Sequence, residues 1–280
     1  MVLTLLLFLF LTILIPYIRF KMVASDVVKN PNLQSISVVG HRGAAGLAPE
    51  NTLASFRKAL EIGVDIVELD VHLTKDGHVV AIHDSNVRRT SNGRGEVADL
   101  TLTQIKALDA GSWFDKAFAH EVIPTLGEVL DLVDGQSKVL IEIKWPKRGI
   151  YEGIMEKVLH IIKDKNAASW CIVQSFDPRY LQELIEASMS VPFHQLLFGE
   201  GRAFPVYHDR SIHFGRFKPV PGTLSVNRLF WYQSTNRKVT DYSSGVFTVN
   251  SKSDIIRVIN LKAQYIISDR PDLVKAILGR

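Results

Sequence analysis

Residues 38–84 read VVGHRGAAGLAPENTLASFRKALEIGVDIVELDVHLTKDGHVVAIHD. Three short apolar, β-branched runs lie in this stretch, and each ends in ionisable groups. Val38-Val39-Gly40 runs into His41 and Arg42. The run over residues 64–73 carries Glu68, Asp70 and His72. The run over residues 79–83 ends in His83, followed by Asp84. Apolar runs of this length, bounded by Gly and Asp, read as buried strands. Between the first two, residues 53–62 set Phe56 and Leu60 at helical spacing, with Asn51 or Thr52 as cap and Gly63 as stop. Strand, helix, strand, with chemistry at the carboxyl ends, is how an α/β barrel builds a site.

The rest of the chain keeps the alternation. Strands are expected at 36–40, 64–73, 79–83, 138–144, 170–174, 193–198, 245–249 and 265–267. Helical spacing falls between most of them, at 124–133, 151–165 and 254–261 and after Pro178. This predicts a TIM-type (β/α)8 barrel over residues 36–280. Residues 86–111, with the loop Ser91-Asn92-Gly93-Arg94-Gly95, read as a small insertion after the third strand. Residues 199–244 have little periodicity, and no helix can be assigned there. The 280 residues contain no internal linker, which fits one barrel of about 250 residues behind a separate N-terminal segment.

That segment is apolar over residues 2–18 apart from Thr4, Thr12 and Pro16. It reads as a hydrophobic helix near the ~17-residue lower limit for a membrane span. No Lys or Arg precedes it, and Met22 stands where a cleavage site near Ala24-Ser25 would need a small residue. An uncleaved anchor over residues 1–22 is favoured over a signal peptide, which would leave the barrel secreted or periplasmic. Arg19 and Lys21 follow the run and favour a cytoplasmic barrel. Residues 23–35 form a polar linker. Net charge is only +4, too little to argue for nucleic acid. The single cysteine, Cys171, sits in an apolar run, so it forms no intramolecular disulfide and reads as a small buried hydrophobe.

Glu68, Asp70 and His72 alternate along one strand, so they share a face. Two carboxylates on a buried face are costly without a compensating cation, and oxygen ligands suit magnesium or calcium. Ion pairing with Arg42 and Lys144 is the alternative. Glu142 and Lys144 end the 138–144 strand. His41 and His83 end two other strands, and histidine ordinarily titrates near neutrality, as general acid–base proton transfer requires. Arg42 and Lys144 are suited to hold a phosphate, arginine through two oxygens at once.

His41-Arg42-Gly43, Pro49-Glu50-Asn51-Thr52, Glu68-x-Asp70, Thr74-Lys75-Asp76-Gly77 and His83-Asp84 resemble, in order and spacing, the signature of the glycerophosphodiester phosphodiesterase family. The likeness extends more weakly to the C-terminus. It implies one divalent cation on Glu68, Asp70 and Glu142, with His41 and His83 as general acid and base. It implies hydrolysis of glycerophosphodiesters to glycerol 3-phosphate and an alcohol, with a cyclic phosphate formed and then opened by water. Glu50, His72 and Phe247 are second-rank site residues. Family members commonly show Trp-Thr-Val-Asn where this chain has Phe247-Thr248-Val249-Asn250, which keeps an apolar wall but loses the indole N–H. Asp269 and Arg270 read as closing the barrel. Two other readings stay open: a membrane-anchored lysophospholipase D acting on lysophospholipids, and a non-catalytic phosphoester-binding barrel.

Overall fold

The structure, a computed structural model, describes residues 26–177, 179, 180, 183, 191–197, 223–227 and 243–280, with Ile18, Lys21 and Met22. Nearly all of the hydrophobic run 2–18 lies outside the described residues, as does most of the helix expected after Pro178. Among the described residues, no helix is long and apolar enough to cross a membrane.

The strands are β1 (Ser37–Gly40), β2 (Ile66–Leu73), β3 (Val79–Ala81), β4 (Lys138–Ile143), β5 (Cys171–Ser175), β6 (Phe193–Leu197), β7 (Thr223–Asn227), β8 (Ser243–Phe247) and β9 (Tyr265–Ser268). The helices are α1 (Leu53–Ile62), α2 (Leu102–Lys106), α3 (Leu126–Val133), α4 (Ile154–Asp164), α5 (Lys252–Asn260) and α6 (Pro271–Leu278). Val39 of β1 lies opposite Ile66 of β2 on one side and Ile267 of β9 on the other. From β2 the parallel pairing passes through β4, β5, β6, β7 and β8 back to β9. The ring of eight parallel staves therefore returns to its start, as a TIM-type barrel must.

Two strand assignments need correction. The third expected stave, β3, runs antiparallel to β2, with Val71 opposite Ala81 and Leu73 opposite Val79. Only residues 74–78 separate the two strands, while a parallel return needs a crossover of a dozen or more residues. Thr74 shapes the tight turn, donating from Oγ1 to Asp76 and accepting from the amide of His78 at 2.9 Å. The eighth stave is instead β7, inside the stretch where the sequence shows little period. Apart from Ser243 and Ser244, which open β8, the rest of that stretch lies outside the described residues. The expected strand at 245–249 begins and ends two residues earlier, as β8.

Alternation along β2 explains the two cores. Ile66 faces the barrel interior with Val39, Leu140, Ile172 and Ile267. Val67, Leu69 and Val71 face the helical layer, against residues such as Phe56 of α1 and Leu126 of α3. Both faces are buried, so parallel staves read as nearly continuous apolar runs. The helices start where the sequence signals: Thr52 accepts from the amide of Ser55, and Thr125 forms a capping box with Glu128. Residues 82–123 carry a small core of their own around Val87, Val97, Ile105 and Ile123. Cys171 is buried, which pushes its thiol up to about 12.

The linker ahead of β1 runs along α5. Lys21 pairs with Asp254 at 3.0 Å, the amide of Lys29 donates to Asn260 at 2.6 Å, and Asn260 donates to the carbonyl of Val27 at 3.0 Å.

His194, on β6, gives a pH prediction. It is 3% exposed, and its Nδ1 has no partner among the described residues. Burial first, and then Lys138, push its pKa from 6.5 down to about 4. The fold thus favours neutral imidazole, while the unfolded chain protonates first as pH falls. Stability is expected to drop between pH 6.5 and pH 4, on the order of 1–3 kcal/mol for this residue. His194→Gln should flatten that part of a urea-denaturation series; an unchanged slope counts against the assignment.

Candidate active site

The sequence-predicted residues meet at the carboxyl ends of the staves. Parallel register sets Asp70 of β2 directly opposite Glu142 of β4. Glu68 is two residues earlier on the same inward face. Glu68, Asp70 and Glu142 are all buried, and each offers a carboxylate oxygen within 4.8 Å of the others.

Each acid is held in place. The Arg42 amide donates to Glu68 Oε2 at 2.7 Å, and Gln174 Nε2 lies 3.4 Å from Oε1. Asn51 donates to Asp70 Oδ2 at 2.9 Å and accepts from the Asp70 amide at 3.2 Å. Lys144 donates to Glu142 at 2.7 Å and lies 3.4 Å from Asp70. Arg42 donates through Nη1 to Glu50 at 2.7 Å, and its Nε is 3.3 Å from Asp70 without hydrogen-bond geometry. The ion pairs of the alternative reading are therefore present, yet the carboxylates still converge.

Electrostatics separates the two acids of β2. Burial, then Asp70 and Glu142, push Glu68 up to about 8. Burial also opposes ionisation of Asp70, but Lys144 and Arg42 outweigh it and hold Asp70 well below the usual range. Burial disfavours the Lys144 ammonium, but Glu142 and Asp70 reverse that and raise it. Two cationic heads thus leave Glu68 uncompensated. A divalent cation fits this donor set, because it adds charge where the raised carboxyl lacks it. Gln174 supplies a further sign. Its Oε1 is buried without a partner among the described residues, on the side chain that reaches Glu68.

Both histidines are backed by carboxylates. His41 Nδ1 meets Asp269 at 2.5 Å, and His83 Nδ1 meets Asp84 at 2.8 Å. Arg89 binds both oxygens of Asp84, at 2.9 and 3.0 Å, and both of Glu50, at 2.7 and 2.8 Å. This chain joins His83 to Arg42 through Asp84, Arg89 and Glu50. The bond to Arg89, then His83, hold Asp84 down to about 2 against burial. Burial lowers His83, and Lys144 adds to it. Burial would lower His41 too, but the bond to Asp269 and the charge of Glu68 raise it instead.

The second-rank residues divide. Glu50 holds Arg42 and Arg89. His72 turns away from chemistry: Nδ1 meets Tyr151 Oη at 2.9 Å and Nε2 meets the carbonyl of His83 at 3.0 Å. Burial pushes it down to about 4, so it is a neutral brace for the His83 backbone. Phe247 ends β8 in an edge-to-face row with Phe176 at 6.0 Å, and Phe176 meets Trp145 at 6.1 Å.

Sequence reasoning missed Asn51 as a partner of Asp70, and also Arg89, Gln174 and Asn250; it read Asp269 as closing the barrel and not as a partner of His41. Gln174, Asn250 and Asp269 lie at or just beyond stave carboxyl ends, which was the available signal.

Gly43 fixes the turn that carries His41 and Arg42. Its φ is +86°, and a Cβ there would lie 2.4 Å from Ser55 Oγ and 2.6 Å from the Ser55 carbonyl carbon. Its amide donates to the Glu68 carbonyl at 3.0 Å. Gly43→Ala is expected to cost about 1–3 kcal/mol and to lower activity, with the thermal midpoint as the check.

Likeness to known proteins sets the chain among the phosphoric diester hydrolases. The family model described as the glycerophosphoryl diester phosphodiesterase family matches residues 41–273, and the chain belongs to that family. It is 37% identical over 249 residues to a glycerophosphodiester phosphodiesterase of Caldanaerobacter subterraneus subsp. tengcongensis, covering 84% of this chain and 94% of that one. It is 32% identical over 257 residues to a glycerophosphodiester phosphodiesterase of Bacillus subtilis, covering 85% of each. Among solved structures, an Oleispira antarctica phosphodiesterase in complex with the product sn-glycerol-3-phosphate superposes with a TM-score of 0.75 at 27% identity, over 87% of this chain and 97% of that one. The family resemblance read from the sequence is thereby borne out.

Proposed function

We propose that this protein hydrolyses glycerophosphodiesters to glycerol 3-phosphate and an alcohol, using a divalent cation, magnesium or calcium, held by Glu68, Asp70 and Glu142. The observation that carries the proposal is the convergence of these three buried carboxylates, flanked by Arg42, Lys144 and two carboxylate-backed histidines. The relative solved with sn-glycerol-3-phosphate supports the substrate class.

In this reading Arg42 and Lys144 bind the phosphate oxygens. Both already point charge at the acid cluster, so each exchanges part of an ion pair for the substrate. When bound, the cation supplies charge to the equatorial oxygens as negative charge builds there. A glycerol hydroxyl gives its proton to one imidazole as its oxygen attacks phosphorus, and the other imidazole protonates the departing alkoxide. Water then opens the cyclic phosphate with the two roles exchanged. His72 keeps the His83 backbone fixed, and Glu50 keeps Arg42 extended toward Asp70.

A second reading keeps the chemistry and places the barrel at a membrane through residues 1–22, acting on lysophospholipids. The aromatic row of Trp145, Phe176 and Phe247 favours it, since rings there suit an apolar portion of substrate. Comparing glycerol 3-phosphate release from glycerophosphocholine with choline release from lysophosphatidylcholine separates the two readings. The first predicts the higher kcat/KM on glycerophosphocholine; a preference for the lysolipid overturns it. Turnover of neither, with both substrates bound, would leave the non-catalytic barrel.

A further inference from the structure

We infer that Asp269, clamped by Asn250, is a positioning residue that fixes the tautomer of His41, leaving Nε2 as the nitrogen that takes and gives the proton. This rests on the reading of His41 as a proton-transfer group.

The geometry is over-determined. Asp269 follows β9, and Asn250 lies just beyond β8. Asp269 Oδ1 meets His41 Nδ1 at 2.5 Å, and Oδ2 accepts from Asn250 Nδ2 at 2.5 Å. The amide of Asn250 cannot be turned over. Its Oδ1 accepts from the Asp269 amide at 2.9 Å and from Ser268 Oγ at 3.2 Å, and a backbone N–H can only donate. Its Nδ2 must therefore face Asp269. The backbone is tied down as well: the His41 amide donates to the Ser268 carbonyl at 2.9 Å, and the Gly46 amide to the Asp269 carbonyl at 2.8 Å. An ionised carboxylate only accepts, so His41 Nδ1 carries the hydrogen in both charge states of the ring.

The two histidine partners also differ. Asp84 gives both oxygens to Arg89, whereas no lysine or arginine pairs with Asp269 among the described residues. Its counter-groups are the imidazole and a neutral amide. Arg89 shares the work of holding Asp84, but the place of Asp269 depends on Asn250.

Asp269→Asn tests this because Asn250 dictates which way the new amide turns. Asn250 Nδ2 needs an acceptor, so the substituted side chain turns its carbonyl toward Asn250 and its NH2 toward His41 Nδ1. The imidazole must then put its hydrogen on Nε2. The expected result is a fall in kcat on the order of 10²–10⁴-fold, with KM within about threefold and an unchanged thermal midpoint. Exchanging the pair, Asp269→Asn with Asn250→Asp, turns the amide back: the carboxylate at 250 accepts the NH2, and the carbonyl at 269 again faces Nδ1–H. That double variant should regain at least about tenfold in kcat over the single one, which mere structural damage would not allow. Histidine ¹⁵N spectra of the wild-type protein, with His41→Gln to assign the resonance, should show neutral His41 as the Nδ1–H form.

A single variant with wild-type kcat, a double variant no better than the single, or an Nε2–H wild-type ring would each overturn the inference. If Asp269→Asn does not fold, the wild-type spectrum decides alone. Full turnover by His41→Gln would sink the catalytic reading instead, and is thereby distinguished.

Discussion

Replacing His41 or His83 with alanine is expected to lower kcat by about 10²–10⁴-fold while leaving the fold intact. Both rings are only partly buried, so neither is needed to fill the interior. Each donates from Nδ1 to a carboxylate, so each offers Nε2 for chemistry. The two follow different strands, and each interacts through its charge with a different acid of β2, His41 with Glu68 and His83 with Asp70, so that one can accept a proton while the other gives one. Loss of either should therefore nearly abolish turnover, and the double variant should be little worse than the worse single one, because the two act as a unit. Thermal midpoints within a few degrees of wild type would show that the loss is chemical. A single variant at near-wild-type kcat would refute the acid–base assignment.

Glu68→Gln should separate stability from activity. Glu68 has its pKa raised from 4.5 to about 8 in the fold, chiefly by burial and then by Asp70 and Glu142. Its ionisation is therefore disfavoured in the native state, and above pH 4.5 the carboxyl costs stability, increasingly up to pH 8. Glutamine keeps the volume and keeps an oxygen to accept the Arg42 amide, but removes the charge. Chelated Glu68→Gln protein is expected to be more stable than chelated wild type at about pH 7, on the order of 1–3 kcal/mol. The same variant should lose on the order of 10²-fold or more in kcat/KM, because it removes one of three anionic ligands. Added calcium or magnesium should raise the melting point of wild type and leave the variant nearly unmoved. A variant that is both less stable when chelated and fully active would remove the argument that Glu68 is held for a cation.

The barrel was legible in sequence wherever strands alternate with capped helices. Thr52, Thr125 and Gly63 act as their types require, and the period-2 run from Ile66 to His72 delivered its acids to one face. Distance along the chain misled in one place: β3 looks like a stave until the short turn from Leu73 to Val79 is weighed against the length of a crossover. β7 was missed because its five residues sit in a stretch without helical spacing to frame them. The acids and histidines of the site were visible because they sit in a compound motif. Their supports were not, since the groups that hold His41 lie more than 200 residues away, at Asn250 and Asp269. Arg89 was hidden for a different reason, as it lies in the 86–111 stretch, which reads only as an insertion.

If three acids from two staves hold a cation needed to split glycerophosphodiesters, removing that cation should stop the reaction. The direct test is glycerol 3-phosphate release from glycerophosphocholine by the purified protein, before chelation, after chelation and after adding back magnesium or calcium. The expected result is turnover that vanishes on chelation and returns with one of these ions. Undiminished turnover after thorough chelation, or no glycerol 3-phosphate from any glycerophosphodiester with either ion present, would contradict it.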